Sequence, residues 1–261
     1  CSGGGEERAA ACDVTEAARG RGAALDPYTA WIAAEMDLLP TLRAWFGTLY
    51  VSAACIRMID RMIQKQGQGI GQRQMSVSWH DGQFIRHEVD DAFLRSQIAV
   101  LEAGKAKIVA ACEVRAVLVP DHTSKIADKM LETAGTSILD AAFLASEHDV
   151  PLLSDDARFR AWGAAATGCR STWLQAALIA AGRAGALTMP DYARAVVGLT
   201  ARRHSFVTMN GGVLCAICRQ DDEALHGLKA ALEYVGGQGA EMVSHLMVVA
   251  EFLGTLWSHD V

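Results

Sequence analysis

As far as about residue 172, short apolar or β-branched runs alternate with helix-length segments, and few folds accept that rhythm. Thr48 to Val51, Val114 to Val119 (closed by Pro120), Val150 to Leu153 and Gly168 to Thr172 read as strands. Gly22 to Leu25 is a weaker one that ends at Asp26 and is stopped by Pro27. Ala30 to Phe46, Ala53 to Gln66, Asp90 to Cys112, Ser137 to His148 and Ala157 to Ala166 read as the helices between them. One piece interrupts the alternation: Gln74 to Trp79 and Gln83 to Val89 flank Asp81-Gly82, a strong hairpin signal. From about residue 173 the chain reads as helix throughout. The pattern predicts an α/β fold, a three-layer α/β/α domain with a central parallel sheet, an inserted β-hairpin and a C-terminal helical extension. The expected division is a lead over 1–20, an α/β domain over 21–180 and the extension over 181–261. Because the sequence opens at Cys1 rather than Met, the lead reads as an unstructured segment or the remnant of a preceding domain.

Half of the 261 residues are hydrophobic (51%), ample for a buried core. The longest apolar runs stop well short of the ~20 residues of a membrane span, and no signal segment opens the sequence. Seven scattered cysteines, an odd number, suit buried free thiols in a reducing cytoplasm better than a disulfide framework. A net charge of −6 argues against a basic coat for nucleic acid, so any RNA-binding surface must be a local patch.

Carboxylates stand where the strands stop. Val150-Pro151-Leu152-Leu153 runs into Ser154-Asp155-Asp156 and then a helix, and Asp26 ends the first strand. Asp140 lies near the start of the apolar helix Ile138 to Ala145, where the helix dipole favours an anion but a buried carboxylate needs a partner. Ligands of open α/β sheets bind beyond the carboxyl ends of strands, and hard divalent cations take oxygen donors there. Plainer readings stand beside this one: Ser154-Asp155-Asp156 is also a helix N-cap signature, Asp140 could be a salt-bridged cap, and Asp26-Pro27 is a common turn pair.

Ile138-Leu139-Asp140-Ala141-Ala142-Phe143-Leu144-Ala145, followed by Val150-Pro151-Leu152-Leu153-Ser154-Asp155-Asp156-Ala157-Arg158-Phe159, is similar to the PIN-domain pattern. In that family a helix opens with a metal-binding Asp and the next strand ends in Thr/Ser-x-Asp, often with Phe three residues later. Upstream, Leu25-Asp26 resembles the first-strand Asp; downstream, Gly168 to Trp173 resembles the last core strand and the following helix. The resemblance covers roughly residues 22–180. It implies a Mg²⁺- or Mn²⁺-dependent endoribonuclease in which Asp26, Asp140 and Asp156 ligate the metal and Asp155 supports it. Where the family places an acid in the helix after its second strand, the register gives Met58; the nearest acid, Asp60, is a fourth ligand only if the helix is turned. The alternatives are a decayed PIN scaffold that binds a protein or RNA, and a metal-dependent DNA nuclease or phosphatase.

Arg158, Arg170 and Thr172 flank the acidic edge and are the candidate substrate contacts, with Arg160 nearby; the arginines could hold phosphates or pair with the acids. His80 and His87, with Trp79, Phe84 and Arg86, could touch RNA by stacking, or simply decorate an exposed hairpin. Arg202-Arg203-His204 is a small basic cluster in the extension, and Cys215-x-x-Cys218 lacks the second pair that a zinc site requires. The expected partners are single-stranded RNA, a protein or preceding domain at the N-terminus, and no membrane; a homodimer is compatible with the sequence.

Overall fold

The computed structural model describes residues 5–72, 74–119, 123–135, 137–204, 207–236 and 242–258. Its elements run α1 (Gly5–Ala17), β1 (Ala23–Leu25), α2 (Pro27–Glu35), α3 (Leu39–Phe46), β2 (Leu49–Ser52), α4 (Ala53–Gln68), the hairpin β3 (Gln74–His80) and β4 (Gln83–Val89), and α5 (Asp91–Ala111). There follow β5 (Glu113–Arg115), α6 (Lys125–Ala134), α7 (Asp140–Glu147), β6 (Leu152–Leu153), α8 (Ala157–Thr167) and β7 (Ser171–Thr172). Five helices complete the described residues: α9 (Leu174–Arg183), α10 (Met189–Ala201), α11 (Gly211–Gln220), α12 (His226–Val235) and α13 (Met242–Ser258).

Five parallel strands form one sheet in the order β5-β2-β1-β6-β7. Successive side chains of a strand point to opposite faces, and β1 shows the result. Ala23 and Leu25 pack with Leu49, Val51 and Leu153 against α2, α3, α5 and α9, whereas Ala24 packs with Leu152 against α7. Helices thus cover both faces, and the three inner strands, β2, β1 and β6, are short and largely apolar because nearly everything they present is buried. The edge strand β5 is exposed and carries Glu113 and Arg115, charges that discourage edge-to-edge pairing. The hairpin turns at Asp81 and Gly82, both with positive φ (47° and 80°), as its Asp-Gly signal requires. It forms a sheet of its own.

Several boundaries differ from expectation. Residues 5–17 are not an unstructured lead: they form α1, which buries Ala11, Cys12 and Thr15 against α9 and β7. The single helix expected from Ala30 to Phe46 is two, because Asp37 turns left-handed (φ 54°) and Pro40 opens a new first turn. The strand expected over Val114 to Val119 ends at Arg115, since β2 offers partners only for Glu113 to Arg115; Pro120 lies outside the described residues. The helix expected from Ser137 begins at Asp140, after a turn closed by its N–H to the Ser137 carbonyl. Among the described residues no helix is long and apolar enough to cross a membrane, and the six described cysteines are free.

Candidate functional site

Connections leave β1 toward β2 on one side, while β6 pairs with β1 on the other. The crevice at such a switch of direction is where open α/β sheets bind ligands. A cleft of about 930 Å³ opens there, with Asp26, Asp155, Asp156, Arg160 and His204 in its wall beside Tyr28, Trp31 and Trp173.

Asp26 is 5% exposed and caps α2. Its Oδ1 accepts the N–H groups of Tyr28 (2.8 Å) and Thr29 (3.1 Å), and its Oδ2 accepts the Thr29 hydroxyl (2.7 Å). Burial pushes its carboxyl above the ordinary range, while the hydroxyls of Thr29 and Ser154 and the two backbone donors pull it back. The Thr29 oxygen in turn accepts the N–H of Asp155 at 2.9 Å. One hydroxyl therefore joins the ends of β1 and β6.

Asp155 is turned inward. Its Oδ1 accepts the N–H of Leu174, the first residue of α9, at 2.8 Å. Its Oδ2 lies 3.2 Å from Nδ1 of His204, and both side chains are nearly buried (8% and 7%). That contact is close enough for an ion pair but off the line of a hydrogen bond, so Oδ2 accepts none among the described residues. The other ring nitrogen, Nε2, stands 3.2 Å from the Tyr28 hydroxyl, and the two rings stack. Asp155 is thus occupied by the helical extension.

Asp156 is exposed and caps α8, using Oδ1 alone for the N–H groups of Arg158 (2.8 Å) and Phe159 (3.0 Å). The N-cap reading of the Ser154-Asp155-Asp156 stretch holds at Asp156, Asp26 proves to be an N-cap as well rather than only a turn residue, and each still lines the cleft. Asp140 is set apart. It lies in a neighbouring cavity of about 360 Å³ with Arg57, and that cavity shares Ala54 and Ser137 with the cleft. Burial raises its carboxyl, and the Ser52 hydroxyl and Arg57 oppose that rise. Met58 stands in the cleft wall at the place of the family's acid. Asp60 is turned away from it and pairs with Lys105 of α5 at 2.5 Å.

The expected substrate contacts are dispersed. Arg158 is exposed and contributes its N–H to the Asp156 cap rather than a side chain to the cleft. Arg170 sits at the opposite, amino edge of the sheet, 3.9 Å from Asp149. Thr172 is fully buried, its hydroxyl shared with Thr15 (2.8 Å) and the Ala11 carbonyl (3.2 Å), so it anchors α1. Arg160 is the arginine at the acids: it donates to the Ser154 carbonyl (2.8 Å), lies 4.7 Å over the Trp173 ring and reaches Glu7 at 3.7 Å. Trp79 and Phe84 meet edge to face on the exposed hairpin; the side chain of His87 lies outside the described residues.

Sequence reasoning did not find Thr29 or the Asp155–His204–Tyr28 chain. Thr29 had a local signal, three residues after a helix-capping Asp. His204 had none, since it reaches Asp155 only through the packing of α10 against the sheet domain.

Among the described residues, no three His, Cys, Asp or Glu side chains come close enough together to hold a metal ion. An all-protein cage therefore does not fit. The carboxylates in the cleft wall are Glu7, Asp26, Asp155 and Asp156. Glu7 pairs with Arg160 and Asp155 with His204, which leaves the hard oxygens of Asp26 and Asp156, and one or two carboxylates beside several waters is what Mg²⁺ ordinarily takes. No curated protein and no solved structure matches the chain. The family described as "PIN domain associated with the TPR-GreAB-C-PIN system" matches residues 24–165, from β1 through almost all of α8, which includes Asp26, Met58, Asp140, Asp155 and Asp156. The chain belongs to that PIN-domain family.

Proposed function

We propose that this domain hydrolyses RNA phosphodiester bonds with a divalent cation, Mg²⁺ or Mn²⁺, at the carboxyl edge of β1 and β6. The observation that carries the reading is Asp26: a carboxylate buried at the switch point, raised by burial, facing a large cleft. A buried anion of that kind is stabilised by a cation. Asp26 and Asp156 would hold it, with Asp140 acting from beyond Ser52. A divalent cation supplies acidification of a water and neutralises charge that builds on the phosphate. The chain's own residues do the positioning. Arg160 offers a guanidinium for a phosphate, and Tyr28, Trp31 and Trp173 offer ring faces for the bases of a single strand. Asp155 is spent on Leu174 and His204 and serves to hold the cleft wall together.

The test is cleavage of single-stranded RNA, single-stranded DNA and a small phosphate ester with Mn²⁺, alongside calorimetric Mn²⁺ titration. Asp26→Asn and Asp156→Asn should each abolish cleavage and weaken Mn²⁺ binding while far-UV circular dichroism stays unchanged. Full activity in both variants sinks the assignment. Cleavage of DNA or the ester instead would move it to another phosphate chemistry.

A second reading, a decayed PIN scaffold, is favoured by Met58 in the acid's place and by the Asp60–Lys105 pair. The family description ties such domains to a TPR-GreAB-C-PIN system, so a protein partner suits that reading. It predicts no Mn²⁺ heat and no cleavage of any of the three substrates.

A further inference from the structure

Helix α13 carries apolar residues on two sides, and among the described residues only one of these is covered. Phe252, with Val248, Val249 and Leu256, packs into the core of the helical extension, and Glu251 accepts the N–H of Gly211 at 2.9 Å. On the other side Met242 (75% exposed), Leu246 (63%), Met247 (68%), Leu253 (56%) and Trp257 (96%) stand bare with Val243. At 100° per residue these positions, with Ala250 and Gly254 among them, fall within an arc of about 140°. No residue of that arc is charged. A narrow polar strip of Ser244, Glu251, Thr255 and Ser258 borders this arc, and an uncharged apolar arc this wide is ordinarily covered, since contiguous patches of this kind are rare on monomers.

We infer that this face of α13 is a homodimer interface, closed by α13 of a second copy across a two-fold axis. Three features select that occupant. Six large apolar side chains that are 56–96% exposed present surface comparable with the ~800 Å² that each partner gives to a standard interface. An isologous contact sets each residue against its own kind of surface; a charged stripe would oppose itself there, and this one does not. Ala250 near the middle of the stripe and Gly254 toward one edge let two backbones approach closely, and a Cβ on Gly254 would meet nothing within 4 Å in the single chain. The described part of α13 has no Lys or Arg, and a polar face rich in them is what holds an amphipathic helix on a membrane surface.

Sedimentation equilibrium of the whole chain at tens of micromolar should give twice the chain mass. Leu246→Glu with Leu253→Glu should return it to the single mass, weakening self-association on the order of 100-fold. Met247→Ser with Trp257→Ser should weaken it by less, and provides the test if the glutamate pair unfolds the protein. Trp79→Ser on the hairpin should leave the mass unchanged. A single-mass wild type overturns the inference, as does a dimer that survives the α13 substitutions or is broken by Trp79→Ser. A single-mass chain that floats with neutral phosphatidylcholine vesicles overturns it in favour of a lipid surface. None of these outcomes depends on whether the β1 edge binds metal.

Discussion

Asp26 and Asp140 each stand at the start of a helix with a hydroxyl beside them, Thr29 for one and Ser52 for the other. Burial raises both carboxyls. Their surroundings then part. Asp26 is held by two backbone N–H groups and a hydroxyl that also fastens Asp155. Asp140 has a hydroxyl and a nearby guanidinium, Arg57, in a small cavity of its own. Position at an element's start decides that a carboxylate can be stabilised there. Which groups the neighbouring β-α turn supplies decides how rigidly it is aimed.

The largest effect that would sharpen this contrast is Thr29→Val, which removes the donor to Asp26 and the acceptor for Asp155. With two groups losing partners, denaturant unfolding should show a loss of about 2–4 kcal/mol. Thr29→Ser keeps the hydroxyl and should lose far less; equal losses would mean that packing, not the hydrogen bonds, matters at this position. Ser52→Ala removes the N-cap of α4, which accepts from Cys55 at 3.1 Å, and should cost about 1 kcal/mol. A loss as large as that of Thr29→Val would break the comparison, because the Asp140 side would then be equally locked.

A smaller effect is the pH dependence. Both folded carboxyls are raised, so between the ordinary value near 4 and the raised one the folded chain binds more protons than the unfolded chain. Their contribution to stability is therefore full below about pH 4 and falls as pH rises through the raised values. Asp26→Asn should flatten that decline more than Asp140→Asn, read from unfolding midpoints across the range, and the reverse order would contradict the ranking of the two sites. The smallest effect belongs to Asp60→Ala. Its pair with Lys105 is substantially exposed, and its loss should change stability by less than about 1 kcal/mol and leave Mn²⁺ affinity unchanged; a drop in that affinity would return Asp60 to the site.

The layers of the fold were legible because burial on both faces of a parallel sheet forces short apolar strands between helices. Even Ala23-Ala24-Leu25, poor in β-branched residues, reads as a strand once Asp26 and Pro27 end it. What stayed hidden depends on partners distant in sequence. Helix α1 buries only small side chains, Ala11, Cys12 and Thr15, so it shows no strong apolar stripe. Arg170 and Thr172 lie close in sequence to the acidic edge, but one ends at the amino side of the sheet and the other beneath α1. Asp26, Asp155 and Asp156 were visible as carboxylates beyond strand ends. That Asp155 would be taken by His204, from the loop after α10, required the packed structure.

Thr29 has one hydroxyl proton to give and gives it to Asp26, and its oxygen takes the amide proton of Asp155, 126 residues further along the chain. Two β-α turns therefore close on a single atom. Loosening either one strands a group in the other, so this edge should open as a pair of turns or stay shut. The amide of Asp155 should exchange with deuterium only as fast as the end of β1 comes apart, a slow clock in a position where a surface turn would ordinarily exchange at once.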